Sequence, residues 1–250
     1  MPTRWSQIFK PRNRIRRLAT LDEAQFLAGR QSRFFEYLRV LRIAREFFRG
    51  FRALHHLGPA VTVFGSARFK QDHPFCAQAE AVGSAIAREG YTVITGGGPG
   101  LMEAANRGAK IANGYSIGIN VVLPHEPEAN PYLDQMVMFY YFFVRKVMLV
   151  KYSQAFVILP GGVGTLDELS EALTLIQTGK LYDFPVILVG KDFWKPFHQG
   201  LLGKMQHHHT IEAAELSHLT ITDDPSEVAR ILREHGKRIG LPLISPQSQL

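Results

Sequence analysis

The feature that most constrains this chain is a short apolar run, then a glycine turn, then a helical pattern: Ala155-Phe156-Val157-Ile158-Leu159, Pro160-Gly161-Gly162-Val163-Gly164, and Leu166 to Gly179. Five apolar residues in succession suit a buried strand, and Leu166, Leu169, Leu173 and Ile176 recur at helical spacing. Glycines between the two let backbone N–H groups approach a ligand. The helix start, with unpaired N–H groups and a positive dipole end, favours an anion. Thr165-Leu166-Asp167-Glu168 also satisfies a capping box, in which Thr165 caps the helix and Glu168 reaches back to it. Spacing alone leaves the phosphate cradle and the cap both open. A second turn, Gly96-Gly97-Gly98-Pro99-Gly100, lies between the strand-like Tyr91-Thr92-Val93-Ile94 and the helix-like Leu101 to Asn106. Capping is a poor explanation for two such turns at strand ends.

After Gly58-Pro59 the strand, turn, helix pattern repeats, with strands expected near residues 60–64, 91–95, 116–121, 136–140, 155–159, 185–189 and 219–222. Helices are expected at 74–88, 101–106, 166–179 and 225–235, the last ending at Gly236. Such alternation predicts an α/β fold with a doubly wound, mainly parallel sheet of about seven strands and right-handed crossovers. In a sheet of that kind both glycine turns open on one edge, where ligands bind.

The chain of 250 residues, 46% hydrophobic, can bury one large core without disulfides or metals. Its single cysteine, Cys76, is compatible with a reducing compartment, and a cytoplasmic location is expected. The most apolar stretch, Met136 to Val150, is broken by Arg145 and Lys146, so no membrane span is expected. The net charge of +7 resembles a nucleic-acid signal until it is divided along the chain. Residues 1–53 carry 13 Lys and Arg against 4 Asp and Glu, and the remainder carries 16 against 18. The basic character thus belongs to an N-terminal segment, residues 1–58, and not to the domain at 59–250. Its first part reads as a solvated arm rather than a nucleic-acid-binding surface. Thr20-Leu21-Asp22-Glu23 matches a capping box for a short helix. From Gln31 to His56, a stripe of Phe34, Leu38, Leu41, Phe48 and Phe51 predicts an amphipathic helix packed on the core or on a partner subunit.

Several familiar sites are excluded. Gly96-x-Gly98-x-x-Leu101 has leucine where the dinucleotide fingerprint requires its third glycine, and Ser116 to Val121 ends without an acid for a ribose. No P-loop sequence occurs. His207-His208-His209 points its side chains in different directions and reads as a solvated polar stretch rather than a metal tract. Gly65-Ser66-Ala67-Arg68 would set a hydroxyl and a guanidinium on the same sheet edge as the glycine turns, with an exposed surface cation as the plain alternative for Arg68. Arg145-Lys146 interrupts the aromatic run Phe139 to Val144 and needs a partner: Glu168, a bound phosphate, or solvent reached by snorkelling.

Taken together, Gly65-Ser66-x-Arg68, Gly96-Gly97-Gly98-x-Gly100-x-Met102-Glu103-Ala104, Arg145-Lys146 and Pro160-Gly161-Gly162-x-Gly164-Thr165-x-x-Glu168 resemble the Lonely Guy (LOG) family of nucleoside 5′-monophosphate phosphoribohydrolases. The similarity covers roughly residues 59–190, and Asn130-Pro131-Tyr132 and Leu175-x-Gln177-Thr178-Gly179 extend it toward the longer, bacterial-type members. The resemblance implies a Rossmann-like core. It also implies hydrolysis of the N-glycosidic bond of AMP or cytokinin riboside monophosphates, without metal or organic cofactor, by a homodimer or dimer-based oligomer. Arg145 and Glu168 then match the family's catalytic pair. Gly161, Gly162, Gly164 and Thr165 would hold the 5′-phosphate, and Gly97, Gly98, Met102, Lys146, Ser66 and Arg68 would contribute to substrate binding. Older labels for the family say lysine decarboxylase, which would demand pyridoxal phosphate and a Schiff-base lysine. A rival from another class is a nucleotide-binding sensor or carrier of the same superfamily that does not cleave its ligand.

Overall fold

The computed structural model describes Glu23 and residues 25–122 and 129–241. The basic arm and Thr20 lie outside the described residues, and Glu23 with residues 25–27 forms a helical turn. Helix α1 spans Arg33–Leu54, and strand β1, Ala60–Phe64, opens the sheet. There follow α2 (Pro74–Arg88), β2 (Thr92–Thr95), α3 (Leu101–Ile111), β3 (Ser116–Val121) and β4 (Gln135–Phe139). Next come α4 (Phe142–Lys151), β5 (Ala155–Ile158), α5 (Val163–Gln177) and β6 (Val186–Val189). A final group of helical segments, among them α6 (Lys191–Lys195) and α7 (Gly203–His207), leads to β7 (Leu219–Thr222) and α8 (Pro225–Arg238).

The seven strands form one sheet in the order β4-β3-β2-β1-β5-β6-β7, and every neighbouring pair is parallel. All seven expected strands are present, and the sheet is parallel throughout. Alternation within strands sends side chains to two layers. Phe64 of β1 and Phe156 and Ile158 of β5 join Leu54, Met148, Leu169 and Trp194 on the side of α1, α4, α5 and α6. Val61, Val63 and Val157 join Val82, Leu101, Ala105, Val228 and Leu232 on the side of α2, α3 and α8. Continuous apolar strands are what a sheet covered on both faces requires. The chain runs outward in one direction from β1 through β2, β3 and β4, and in the other through β5, β6 and β7. The switch point therefore lies between β1 and β5, the place where a doubly wound sheet opens a crevice beyond its strand ends.

Three expectations need correction. Of the two partners expected for the α1 stripe, the core is not the one it meets: Phe34, Leu41, Phe48 and Phe51 are exposed, and the buried positions are Arg39, Glu46, Gly50 and Leu54. The inner face mixes apolar residues, Ile43, Phe47, Ala53 and Leu54 against the core, with the buried Glu46, whose backbone partners the apolar pattern conceals. Helix α5 begins at Val163, not Leu166, so Gly164 lies inside its first turn. Helix α8 continues through Gly236 to Arg238.

Candidate active site

The turn after β1 is stitched to both glycine turns by the backbone. The N–H of Ser66 donates to the carbonyl of Pro160 (3.1 Å), and the N–H of Leu101 donates to the carbonyl of Ser66 (3.0 Å). Ser66 and the two glycine turns thus share one edge of the sheet at the switch point. Ser66 Oγ accepts the N–H of Arg68 (3.1 Å), which folds the local turn, and the Arg68 side chain is exposed on the rim.

The turn after β2 is held from beneath by a buried polar network. Thr95 Oγ1 accepts the N–H of Gly97 (2.8 Å) and donates to Asn106 Oδ1 (2.7 Å). Asn106 donates to Ser116 Oγ (2.7 Å), while Asn130 Nδ2 donates to Asn106 Oδ1 (3.0 Å) and to the carbonyl of Gly98 (3.1 Å). Sequence reasoning noted Asn130 only within a motif and missed Thr95 and Asn106. A threonine and an asparagine at buried positions of a strand and a helix are the signal that was available, since such groups require partners. Met102 packs its thioether against this turn. An added Cβ at Gly96 would lie 2.8 Å from the Met102 sulfur and 3.3 Å from an Arg145 nitrogen, and one at Gly98 would lie 2.9 Å from Met102 Cε.

The turn after β5 is different. Gly161 leaves no room for a side chain, because a Cβ there would stand 2.1 Å from Thr165 Oγ1. An added Cβ at Gly162 or Gly164 would have nothing within 4 Å. No side chain caps α5, whose first turn starts from Gly162. Thr165 is consequently the third residue of the helix rather than its cap, and Glu168 lies further in, so the capping box is not formed. What remains is an uncapped helix start facing open space, the arrangement that accepts an anion.

Arg145 and Glu168 meet behind that opening. Arg145 comes from the first half of α4 and donates through Nε to the carbonyl of Ile119 on β3 (3.2 Å) and through Nη1 to Glu168 Oε1 (3.1 Å). Its guanidinium also lies 5.5 Å from the ring centre of Phe142. The Glu168 side chain is 4% exposed and that of Arg145 13%. Burial pushes the Glu168 carboxyl above its ordinary value, Arg145 and Lys146 pull it down, and Glu171 and Asp167 add to the rise. Lys146 lies beside the pair, with its ammonium 2.9 Å from both Asp167 and Glu171. Burial disfavours the Lys146 charge, but bonds to Glu171 and Asp167 prevail and hold its pKa raised. No group of three or more His, Cys, Asp or Glu among the described residues could hold a metal ion, and His207, His208 and His209 are exposed. No helix among the described residues is long and apolar enough to cross a membrane.

The uncapped start of α5 and the buried Arg145–Glu168 pair thus lie together at the switch point of a parallel sheet of the Rossmann-like class. The model of a family described as "Possible lysine decarboxylase" matches residues 102–232, and the chain belongs to that family, the LOG family of the sequence motifs. A protein of Mycobacterium tuberculosis named cytokinin riboside 5′-monophosphate phosphoribohydrolase is 37% identical over 121 residues, 48% of this chain and 63% of that protein's length. An Escherichia coli protein named pyrimidine/purine nucleotide 5′-monophosphate nucleosidase is 26% identical over 216 residues, covering 79% of this chain and 45% of the relative. Among solved structures, a molybdenum cofactor binding protein from Rippkaea orientalis superposes with a TM-score of 0.52 at 26% identity, over 72% of this chain and 98% of that one.

Proposed function

We propose that this protein hydrolyses the N-glycosidic bond of nucleoside 5′-monophosphates, AMP or cytokinin riboside monophosphates among them, to the free base and ribose 5-phosphate. The observation that carries the reading is the buried Arg145–Glu168 pair, 3.1 Å between nitrogen and oxygen, next to the uncapped and open start of α5. A 5′-phosphate bound to the amides around Gly162 and Gly164 would leave the ribose directed toward Glu168. As the C1′–N bond breaks, its electrons pass to the base and positive charge builds on the sugar ring. A carboxylate at that position stabilises the charge and accepts a proton from the water whose oxygen bonds to C1′, and the departing base is protonated from solvent. Arg145 keeps Glu168 oriented and ionised at the working pH. Ser66, Arg68, Gly97, Gly98 and Met102 form the remaining wall for ribose and base. Lys146, held by two carboxylates, acts through Asp167 and Glu171 rather than by touching the phosphate.

The names of the two relatives share a nucleoside 5′-monophosphate and differ in the base, which supports the reaction and leaves the base to experiment. Pyridoxal phosphate chemistry fits these residues poorly. A Schiff-base lysine must be a free neutral amine, whereas Lys146 is held charged by Asp167 and Glu171. The proposal includes a homodimer or dimer-based oligomer, for which the exposed Phe34, Tyr37, Leu41 and Phe48 of α1 offer an apolar surface. Incubation of the purified protein with a panel of nucleoside 5′-monophosphates, assayed for free base and ribose 5-phosphate, tests the activity. Turnover of at least one member is expected. Binding without turnover across the panel would transfer the protein to the carrier class.

A further inference from the structure

Helix α4 carries Arg145 and has no side-chain cap of its own: its N-cap residue is Tyr141, whose side chain makes no cap bond. Carboxylates from the N-terminal segment take up the N–H groups of the two residues leading into it and of its first residue. Glu46 of α1 accepts the N–H of Tyr140 (2.9 and 3.1 Å to its two oxygens) and the N–H of Tyr141 (3.2 Å). Glu23 accepts the N–H of Phe142 (2.9 Å). Glu46 is 5% exposed and also pairs with Arg49 at 3.2 Å. Arg49 donates to the carbonyl of Met138 on β4, and its guanidinium lies 5.7 and 5.8 Å from the ring centres of Phe139 and Tyr140. One turn further along, Gly50 lets the backbone of α1 close down: a Cβ there would stand 2.9 Å from Met148 and from Phe139. A buried carboxylate is costly unless bonded, and these bonds all converge on the turn that begins the arginine helix.

We propose that Glu46, assisted by Glu23, is a positioning residue for the reaction: by holding the backbone that leads into α4 from a different helix it sets the place from which Arg145 reaches Glu168. The inference rests on the function proposed above. It assigns to the N-terminal segment a part in the site that neither the glycine motifs nor the family match at residues 102–232 includes. Arg145 is three residues from Phe142 and its own N–H donates to the carbonyl of Tyr141 (3.2 Å), so a shift or fraying of that end moves its guanidinium directly. The groups whose charge acts on Glu168 are Arg145 and Lys146 from α4 and Asp167 and Glu171 from α5. Withdrawal of Arg145 removes a charge that lowers the Glu168 pKa, so the midpoint of Glu168 rises.

The test uses the full chain carrying Glu46→Gln, which keeps the side-chain shape and removes the charge, with Glu23→Ala as a second variant at a less buried position. Two readouts are taken on folded protein: kcat and KM for the best nucleotide, and the titration of the Glu168 carboxyl by 13C NMR, assigned through Glu168→Gln. Glu46→Gln is expected to lower kcat on the order of 10-fold, with KM within about threefold, and to raise the Glu168 midpoint. Glu23→Ala should move both readouts in the same direction by less. A merely structural role would lower the yield of active protein while leaving kcat per folded molecule and the Glu168 midpoint unchanged, and that result overturns the inference. If the wild type turns over no nucleotide, the functional reading fails and the Glu168 midpoint alone decides the positioning role. If Glu46→Gln does not fold, Glu23→Ala decides it.

Discussion

The turn after β2 and the turn after β5 are both built on closely spaced glycines, yet they use glycine for opposite reasons. In the first, Gly96, Gly97 and Gly98 are buried, and their backbone is bound by Thr95 and Asn130. Gly97 and Gly100 have φ of +75° and +71°, and an added Cβ at Gly100 would stand 2.6 Å from the carbonyl oxygen of Ser66. In the second, Gly162 and Gly164 are exposed, and an added Cβ would meet nothing. Gly162 has an ordinary φ of −92°. One turn uses glycine to pack, whereas the other packs only at Gly161, against Thr165, and leaves space at Gly162 and Gly164 beside an uncapped helix. The difference shows that a glycine motif states a demand for small size without saying whether protein or ligand fills the room. Arg145 joins the two, next to Gly96 on one side and bonded to Glu168 on the other.

Replacing that joint should have the largest effect. Arg145→Gln is expected to lower turnover on the order of 100-fold or more. It also removes the charge that opposes the burial of Glu168, so the acid limb of the pH–rate profile should move to higher pH, and steady-state kinetics across pH reads both. At the packed turn, Gly100→Ala forces a Cβ into backbone at a positive φ and should cost about 2 kcal/mol or more, seen as a melting temperature lower by about 4 °C or more. At the open turn, Gly164→Ala should do the reverse. Alanine within a helix is better than glycine by about 0.5 to 1 kcal/mol, so the protein should melt at or above the wild-type temperature while KM rises about tenfold because the added methyl meets the phosphate. A Gly164→Ala variant that lost stability and kept its KM would erase the distinction between the two turns.

The smallest expected effect concerns pH. In the proposed reaction Glu168 acts ionised, and because burial raises its folded-state pKa, activity should be lost as pH falls through a value above the ordinary 4.5. Glu171 contributes to the rise, so Glu171→Gln should move the acid limb toward lower pH by less than about one unit. An acid limb at or below the ordinary glutamate range in the wild type would break this part of the account.

Much of the framework was legible in the sequence because its causes are local and periodic. Apolar runs between turns locate all seven strands, and their alternation with helices accounts for the parallel order. The glycine motifs with Arg145 and Glu168 brought together the pair observed at 3.1 Å. Three features escaped because their causes lie elsewhere in the chain. The helix after Gly162 starts at Val163, since a glycine at the second helical position is tolerated where the turn must stay open. On α1, the contacts made by Glu46 and Gly50, a carboxylate and a gap beside the apolar Ile43, Phe47 and Leu54, leave no mark in an apolar pattern. The engagement of Lys146 by Asp167 and Glu171 depends on the distance between α4 and α5, which spacing in one sequence does not contain.

The measurement that most directly tests the central claim compares AMP binding and AMP cleavage in wild type and Glu168→Gln. With its pKa raised on folding, the Glu168 carboxyl favours the native state below its unfolded-state pKa and loses that contribution as pH rises through the folded value. At neutral pH the glutamine variant should thus melt at or above the wild-type temperature. Its dissociation constant for AMP should stay within about threefold of wild type, while release of adenine falls on the order of 100-fold or more. A folded Glu168→Gln protein that releases adenine at the wild-type rate would contradict the account.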